Sequence, residues 1–187
     1  MRKKIIITGG LGYIGTELCK LYSGVSWHHE IIVIDNRFIS ERVNQLRNWN
    51  IEFIQGDILD KKLIQKYCHD ADVIHHLAGI TQVPRTKSET TKLQDEKIKE
   101  VGTSGTQNIL DVISEKCKII FPSTHVVYEG IEEIKNDIKE DEDTKPVLSY
   151  SSSKATNENQ LKKSGKNFVI LRLGSVYGYS TDSMRID

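Results

Sequence analysis

Short apolar, β-branched runs alternate along the chain with longer segments of helical character. Ile5-Ile6-Ile7, Ile31-Ile32-Val33-Ile34, Ile51-Glu52-Phe53-Ile54, residues 72–77, Lys118-Ile119-Ile120-Phe121 and Phe168-Val169-Ile170-Leu171 are each bounded by polar or turn residues. Runs of this length and kind suit strands buried on both faces. Between them, residues 16–21 predict a helix and 41–49 a short one. Asp60 is placed to cap a helix over 61–68. Residues 105–115 set Ile109, Leu110 and Ile113 on one helical face, and 151–163 predict a helix that leaves through Gly165. Strand and helix in alternation predict an α/β domain with a parallel sheet covered on both sides. Residues 81–96 are charged without a period and read as a loop entering a helix. Residues 129–146 carry Asp, Glu or Lys at eleven of eighteen positions and read as a solvated surface loop. Little is legible after Gly178, which divides the chain into a main domain over 1–178 and the start of another region over 179–187.

The first strand runs into Thr8-Gly9-Gly10-Leu11-Gly12-Tyr13-Ile14-Gly15 and then into helix formers. Strand, spaced glycines and helix make the opening of a dinucleotide-binding βαβ unit. Gly9 permits a sharp turn, Gly12 leaves the backbone open to a pyrophosphate, and Gly15 lets the helix lie close. The helix start presents unpaired N–H groups and a positive dipole end to the phosphates, with Tyr13 and Ile14 in its first turn. The spacing Gly-x-x-Gly-x-x-Gly differs from the ordinary fingerprint, and a glycine-rich turn without a ligand is the alternative. Asp35 decides for the cofactor. It ends the second strand twenty residues after Gly15, where a carboxylate accepts from the adenosine ribose hydroxyls, with Asn36 beside it. The same carboxylate repels a 2′-phosphate, which predicts NAD over NADP, although Arg37 stands close by. The fold class is therefore a Rossmann-like doubly wound parallel sheet.

Composition narrows the partners. The 187 residues suffice for one domain with a substantial core, and the formal net charge of zero gives no reason to expect a nucleic-acid partner. Cys19, Cys68 and Cys117 have no metal-like spacing, so no metal site is expected and free thiols in a reducing compartment follow. The basic N-terminus is followed by an apolar run that breaks at Thr8, too early for a signal peptide. No apolar run approaches the roughly 20 residues of a membrane span. A cytoplasmic protein is expected.

Two further segments carry chemistry: Pro122-Ser123-Thr124-His125-Val126-Val127-Tyr128, and Tyr150-Ser151-Ser152-Ser153-Lys154. Tyr-x-x-x-Lys places both side chains on one helical face, one turn apart. In a doubly wound sheet, sites form at the carboxyl ends of the strands, where Thr124 and Tyr150 should face the same crevice as the glycine turn. A phenol with an ordinary pKa of about 10 is a poor base at neutral pH. A neighbouring ammonium and a positive nicotinamide stabilise the phenolate. Tyr150 is thus the candidate base, and Lys154 supplies charge and a hold on the nicotinamide ribose. Thr124 either orients the reacting oxygen or satisfies strand-end backbone.

These segments, with Gly56-Asp57-Ile58, His76-Leu77-Ala78-Gly79 and Leu171-Arg172-x-x-x-Val176-Tyr177-Gly178, occur in an order that resembles the extended short-chain dehydrogenase/reductases, specifically the NAD-dependent epimerase/dehydratase group acting on nucleotide sugars. The resemblance implies that Asp57 and Ile58 flank the adenine, that Leu77, Ala78 and Gly79 line the cofactor, and that Thr124, Tyr150 and Lys154 take the catalytic positions. It also implies a homodimer built on the helices after Gly102 and Tyr150. Five positions depart from the pattern. Gly102 replaces an Asn before the fifth strand. Ser175 replaces an Asn that touches the diphosphate, and Tyr179 replaces a Pro. His125-Val126 stand where dehydratases carry an acid pair, which disfavours dehydration. Members of the group are much longer, so the C-terminal substrate part is expected to be largely absent here. The main expectation is the cofactor-binding part of a nucleotide-sugar epimerase. The alternatives are an NAD(P)-dependent sugar-nucleotide dehydrogenase or reductase that releases its reduced cofactor, or a dehydratase, and a dinucleotide-binding module without turnover.

Overall fold

The computed structural model describes residues 1–81 and 91–178. The strands are β1 (Lys4–Thr8), β2 (Glu30–Asp35), β3 (Glu52–Gln55), β4 (Val73–His76), β5 (Lys118–Thr124) and β6 (Asn167–Leu173). Among the described residues the helices are α1 (Tyr13–Ser23), α2 (Ser40–Asn48), α3 (Lys61–Cys68), α4 (Lys92–Val112) and α5 (Ser149–Lys163), with a 3-10 turn at His125–Tyr128. All strand pairs are parallel, in the order β3-β2-β1-β4-β5-β6. The order reverses between β1 and β4, so the crevice of a doubly wound sheet opens at the carboxyl ends of these two strands.

Alternate residues of the same strand face opposite layers, as the period of two requires. Ile5, Ile7, Ile31 and Val33 pack with Cys19 of α1 and with Val43 and Leu46 of α2. Ile6, Ile32, Ile34, Ile74, Ile119 and Phe121 pack on the other side with Ile64 of α3, Ile109 and Leu110 of α4 and Leu161 of α5. Asp60 caps α3 as expected, accepting from the Lys62 and Leu63 amides at 3.0 and 3.1 Å. Gly165 takes φ +68° just past α5.

Several boundaries differ from the sequence expectation. Helix α4 begins at Lys92, well before 105. Thr91 and Gln94 cap it reciprocally, Thr91 Oγ1 accepting the Gln94 amide at 3.2 Å and Gln94 Oε1 accepting the Thr91 amide at 3.0 Å. Its first half is largely exposed and buries Ile98 where the later turns bury several residues, so it carries no apolar stripe. Strand β5 continues through Pro122 to Thr124. Its pairing with β4 ends at Ile120, so β4 does not need the N–H that proline lacks. Helix α5 starts at Ser149, which places Tyr150 inside its first turn.

The charged stretch over 129–146 is exposed, but its backbone is tied down. The Gly130 amide donates to Lys145 O and the Lys145 amide to Val127 O, each at 2.8 Å. Lys135 pairs with Glu142 at 2.8 Å, and the Tyr128 hydroxyl donates to Lys139 O at 3.0 Å. The expectation of a solvated surface loop holds, and these bonds tether the loop to the surface. Among the described residues no helix is long and apolar enough to cross a membrane. Residues 82–90, Tyr179 and the expected region 179–187 lie outside the described residues.

Candidate functional site

The site begins where β1 ends. Gly9 adopts φ +69°, which an L side chain rarely takes, and its amide donates to Ile34 O at 2.7 Å. A Cβ on Gly9 would stand 2.7 Å from Ala78 Cα, so the ends of β1 and β4 touch here. A Cβ on Gly15 would stand 2.6 Å from Gly9 O, so α1 packs directly on the turn. Helix α1 has Gly12 as its N-cap, with no side-chain cap and no acidic residue in its first turn. Its amides and positive end therefore point into the crevice uncompensated, which fits a pyrophosphate. Tyr13 and Ile14 occupy that first turn, and the Tyr13 hydroxyl lies 3.2 Å from where a Cβ on Gly178 would sit.

Asp35 is buried at the end of β2. Its Oδ2 accepts the Leu11 amide at 3.0 Å, and its Oδ1 accepts the Arg37 amide at 3.0 Å and Arg37 Nε at 3.4 Å. Asn36 donates to Asp57 Oδ2 at 3.3 Å, and Asp57 Oδ1 accepts the Leu59 amide at 2.9 Å. Ile58 is buried against Gly105 of α4, and Asn108 donates to the carbonyls of Ile58 and Leu59 at 3.0 and 3.3 Å. Asp35, Asn36, Asp57 and Ile58 thus form one cluster beside the glycine turn. From β4, the Leu77 amide donates to Thr8 O at 3.1 Å and the Ala78 amide to Thr8 Oγ1 at 3.3 Å, and Gly79 faces open space.

Thr124 is the last residue of β5. Its Oγ1 accepts the Val126 amide at 3.3 Å and caps the 3-10 turn, so the backbone-satisfying role is present. Tyr150 and Lys154 lie one turn apart on α5, with Lys154 Nζ 5.9 Å from the centre of the Tyr150 ring. The same ammonium donates to Pro122 O at 2.8 Å and lies 4.5 Å over the Phe121 ring. Burial pushes its pKa down to about 8, against the opposing pull of Glu158. At neutral pH Lys154 is still largely charged.

A buried polar chain runs beneath the crevice. His76 Nδ1 meets Thr8 Oγ1 at 2.8 Å and Nε2 meets Thr106 Oγ1 at 3.0 Å. Asn157 Nδ2 donates to Thr106 Oγ1 and to Gly102 O, each at 3.0 Å. The chain joins the start of the glycine turn to α5. Burial first, then the charge of Lys154, pushes the His76 pKa down to about 3, so this imidazole is neutral. One turn further along the same face of α5, Glu158 accepts from Ser123 at 2.5 Å and from Arg172 Nη2 at 2.6 Å. Burial works to raise its pKa, but the hydrogen bonds and charge of its partners leave it lowered.

His125 is exposed, with Nδ1 3.2 Å from Leu173 O, consistent with a surface role. Ser175 is exposed. Among the described residues no group of three or more His, Cys, Asp or Glu is placed to hold a metal ion.

Several supporting residues escaped the sequence reading. Arg42, buried on α2, donates through Nη1 to Leu11 O and braces the turn. Glu129 Oε1 accepts the Val147 and Leu148 amides at 2.8 and 2.7 Å and the Ser151 hydroxyl, closing the start of α5. The nearest sequence signal was the i, i+4 spacing of Lys154 and Glu158. Arg42 and Glu129 gave none, because each acts on backbone far away in the chain.

The model of the NAD dependent epimerase/dehydratase family matches residues 5–186. The chain is 31% identical to a CDP-paratose 2-epimerase of Salmonella typhi, covering 94% of this chain and 58% of that protein. It is 29% identical to a dTDP-D-glucose 4,6-dehydratase of Dictyostelium discoideum, covering 94% of this chain and 44% of that one. A UDP-glucuronic acid 4-epimerase of Bacillus cereus, solved in complex with NAD, superposes with a TM-score of 0.75 at 27% identity, over 94% of this chain and 57% of its own. The chain spans about half the length of the curated relatives it matches.

Proposed function

The chain belongs to the NAD-dependent epimerase/dehydratase family, and from that premise we propose that it is the cofactor-binding part of a nucleotide-sugar epimerase, its domain spanning 1–178. The observation that carries the reading is the pair on α5, Tyr150 with Lys154 Nζ 5.9 Å from its ring, at the carboxyl end of the sheet that also bears the glycine turn. The glycine turn, α1 with Tyr13 and Ile14, Asp35, Asn36, Asp57, Ile58 and residues 77–79 hold the NAD. Bound NAD supplies a hydride acceptor that is regenerated, so an epimerisation needs no external oxidant. Tyr150 takes the proton of the reacting sugar hydroxyl, Lys154 favours its phenolate, and Thr124 orients the oxygen. The exposed His125 and the neutral Val126 beside Thr124 supply no carboxyl pair for water elimination, which favours epimerisation over dehydration. The three buried thiols suit a cytoplasmic setting.

The test is conversion of a panel of nucleotide hexoses by the full-length epimerase of which this chain is the cofactor-binding part, in wild type and Tyr150→Phe. The variant should lose about a hundredfold or more in kcat while still binding NAD. Wild-type turnover in the variant would refute Tyr150 as the base, and net accumulation of reduced cofactor would move the assignment to a dehydrogenase. We also propose a homodimer through the outer faces of α4 and α5. Light scattering should return twice the chain mass, and a monomer mass contradicts it.

A further inference from the structure

Two opposite charges meet at the end of β2. The side chain of Asp35 is 4% exposed and that of Arg37 is 50% exposed. An ionised carboxylate offers about four lone-pair positions. On Asp35 three of these are filled within the protein, one by the Leu11 amide and two by the amide and Nε of Arg37. A ribose entering here therefore meets a carboxylate whose charge is compensated. Arg37 Nη2 lies 3.9 Å from the place a Cβ on Gly12 would take, so the guanidinium reaches from Asp35 to the glycine turn. Repulsion of a 2′-phosphate by Asp35 is the ground for expecting NAD over NADP, and the pairing weakens that repulsion. A guanidinium is also a fork of donors matched to phosphate oxygens.

We propose that the adenosine end of this site accepts NADP as well as NAD, with Arg37 receiving the 2′-phosphate. This rests on the cofactor reading above. For NAD, the Arg37 side chain yields its place on Asp35 Oδ1 to the ribose hydroxyls. For NADP, the guanidinium turns to the phosphate, and Asp35 keeps the Leu11 and Arg37 amides as partners. Asn36 is engaged with Asp57 at 3.3 Å and does not compete.

The experiment is parallel calorimetric titration of the nucleotide-stripped chain with NAD and NADP, in wild type, Arg37→Leu and Arg37→Lys. The wild type should bind NADP within about tenfold of NAD. Arg37→Leu should raise the NADP/NAD ratio of Kd values by about tenfold or more and move NAD by less than about threefold. Arg37→Lys should recover part of the loss, since it keeps the charge without the fork. Added salt should weaken NADP more than NAD in the wild type and equally in Arg37→Leu. NADP binding more than tenfold weaker than NAD in the wild type, or a ratio unmoved by Arg37→Leu, would overturn the proposal while leaving the NAD reading intact. Binding of neither dinucleotide would overturn both.

Discussion

His76 shows how much a single side chain of this site is asked to do. It is 1% exposed, and each ring nitrogen meets one threonine hydroxyl. A neutral imidazole offers one donor and one acceptor, which two hydroxyls can match. A protonated ring would present two donors, and both hydroxyls would have to turn their hydrogens away. Its ordinary pKa is near 6.5 and its folded value about 3. The unfolded chain therefore takes up the proton first as pH falls. The stability owed to the neutral ring is complete above pH 6.5 and drains away down to about pH 3, at about 1 kcal/mol per pH unit. Glu158, also lowered, adds its loss at lower pH, in the carboxylate range. Between pH 6.5 and 4.5 the melting temperature of the wild type should fall more steeply than that of His76→Gln, and parallel slopes in the two proteins would contradict this account. The cysteines stand apart from this chemistry. All three are buried, and burial pushes Cys19 and Cys68 up to about 12 and Cys117 up to about 11, so they carry no thiolate at neutral pH.

Among the elements, what could be read ahead of the structure was what repeats locally. The apolar runs gave all six strands: burial on both faces leaves a continuous apolar run in β1 and β2, and the part-buried edge strands β3 and β6 keep enough apolar residues to be read. The glycine spacing and Asp35 gave the turn, since a positive φ at Gly9 and a carboxylate at a fixed distance are both local marks. The first half of α4 was hidden because its side chains face solvent and Thr91 and Gln94 set its start. The last residues of β5 were hidden behind Pro122, which is read as a strand breaker unless the neighbouring pairing is known. The braces were hidden for a different reason. Arg42 on Leu11, Asn108 on Ile58 and Glu129 on the start of α5 join positions 31, 50 and 19 residues apart, and such bonds leave no period. The departure at Gly102 belongs with these. A Cβ there would stand 2.1 Å from Ser153 Oγ, and Asn157 donates to Gly102 O at 3.0 Å. The residue has no side chain because α5 passes against it.

For the molecule as a whole, the strand order concentrates the chemistry. The crossing from β3 back to β4 puts the glycine turn, the Asp35–Asp57 cluster and the Thr124–Tyr150–Lys154 set at one end of one sheet. The buried chain from Thr8 through His76 and Thr106 to Asn157 ties the first of these to the last. The central claim is that this end of the sheet seats NAD. Its most direct test is calorimetric titration of the chain with NAD after any co-purified nucleotide has been removed, in wild type and in Gly12→Val, whose side chain would fill the approach to the turn. Saturable one-to-one binding is expected, weakened by Gly12→Val about tenfold or more while the melting temperature is kept. No binding by the folded wild-type chain, or undiminished binding by Gly12→Val, would contradict it.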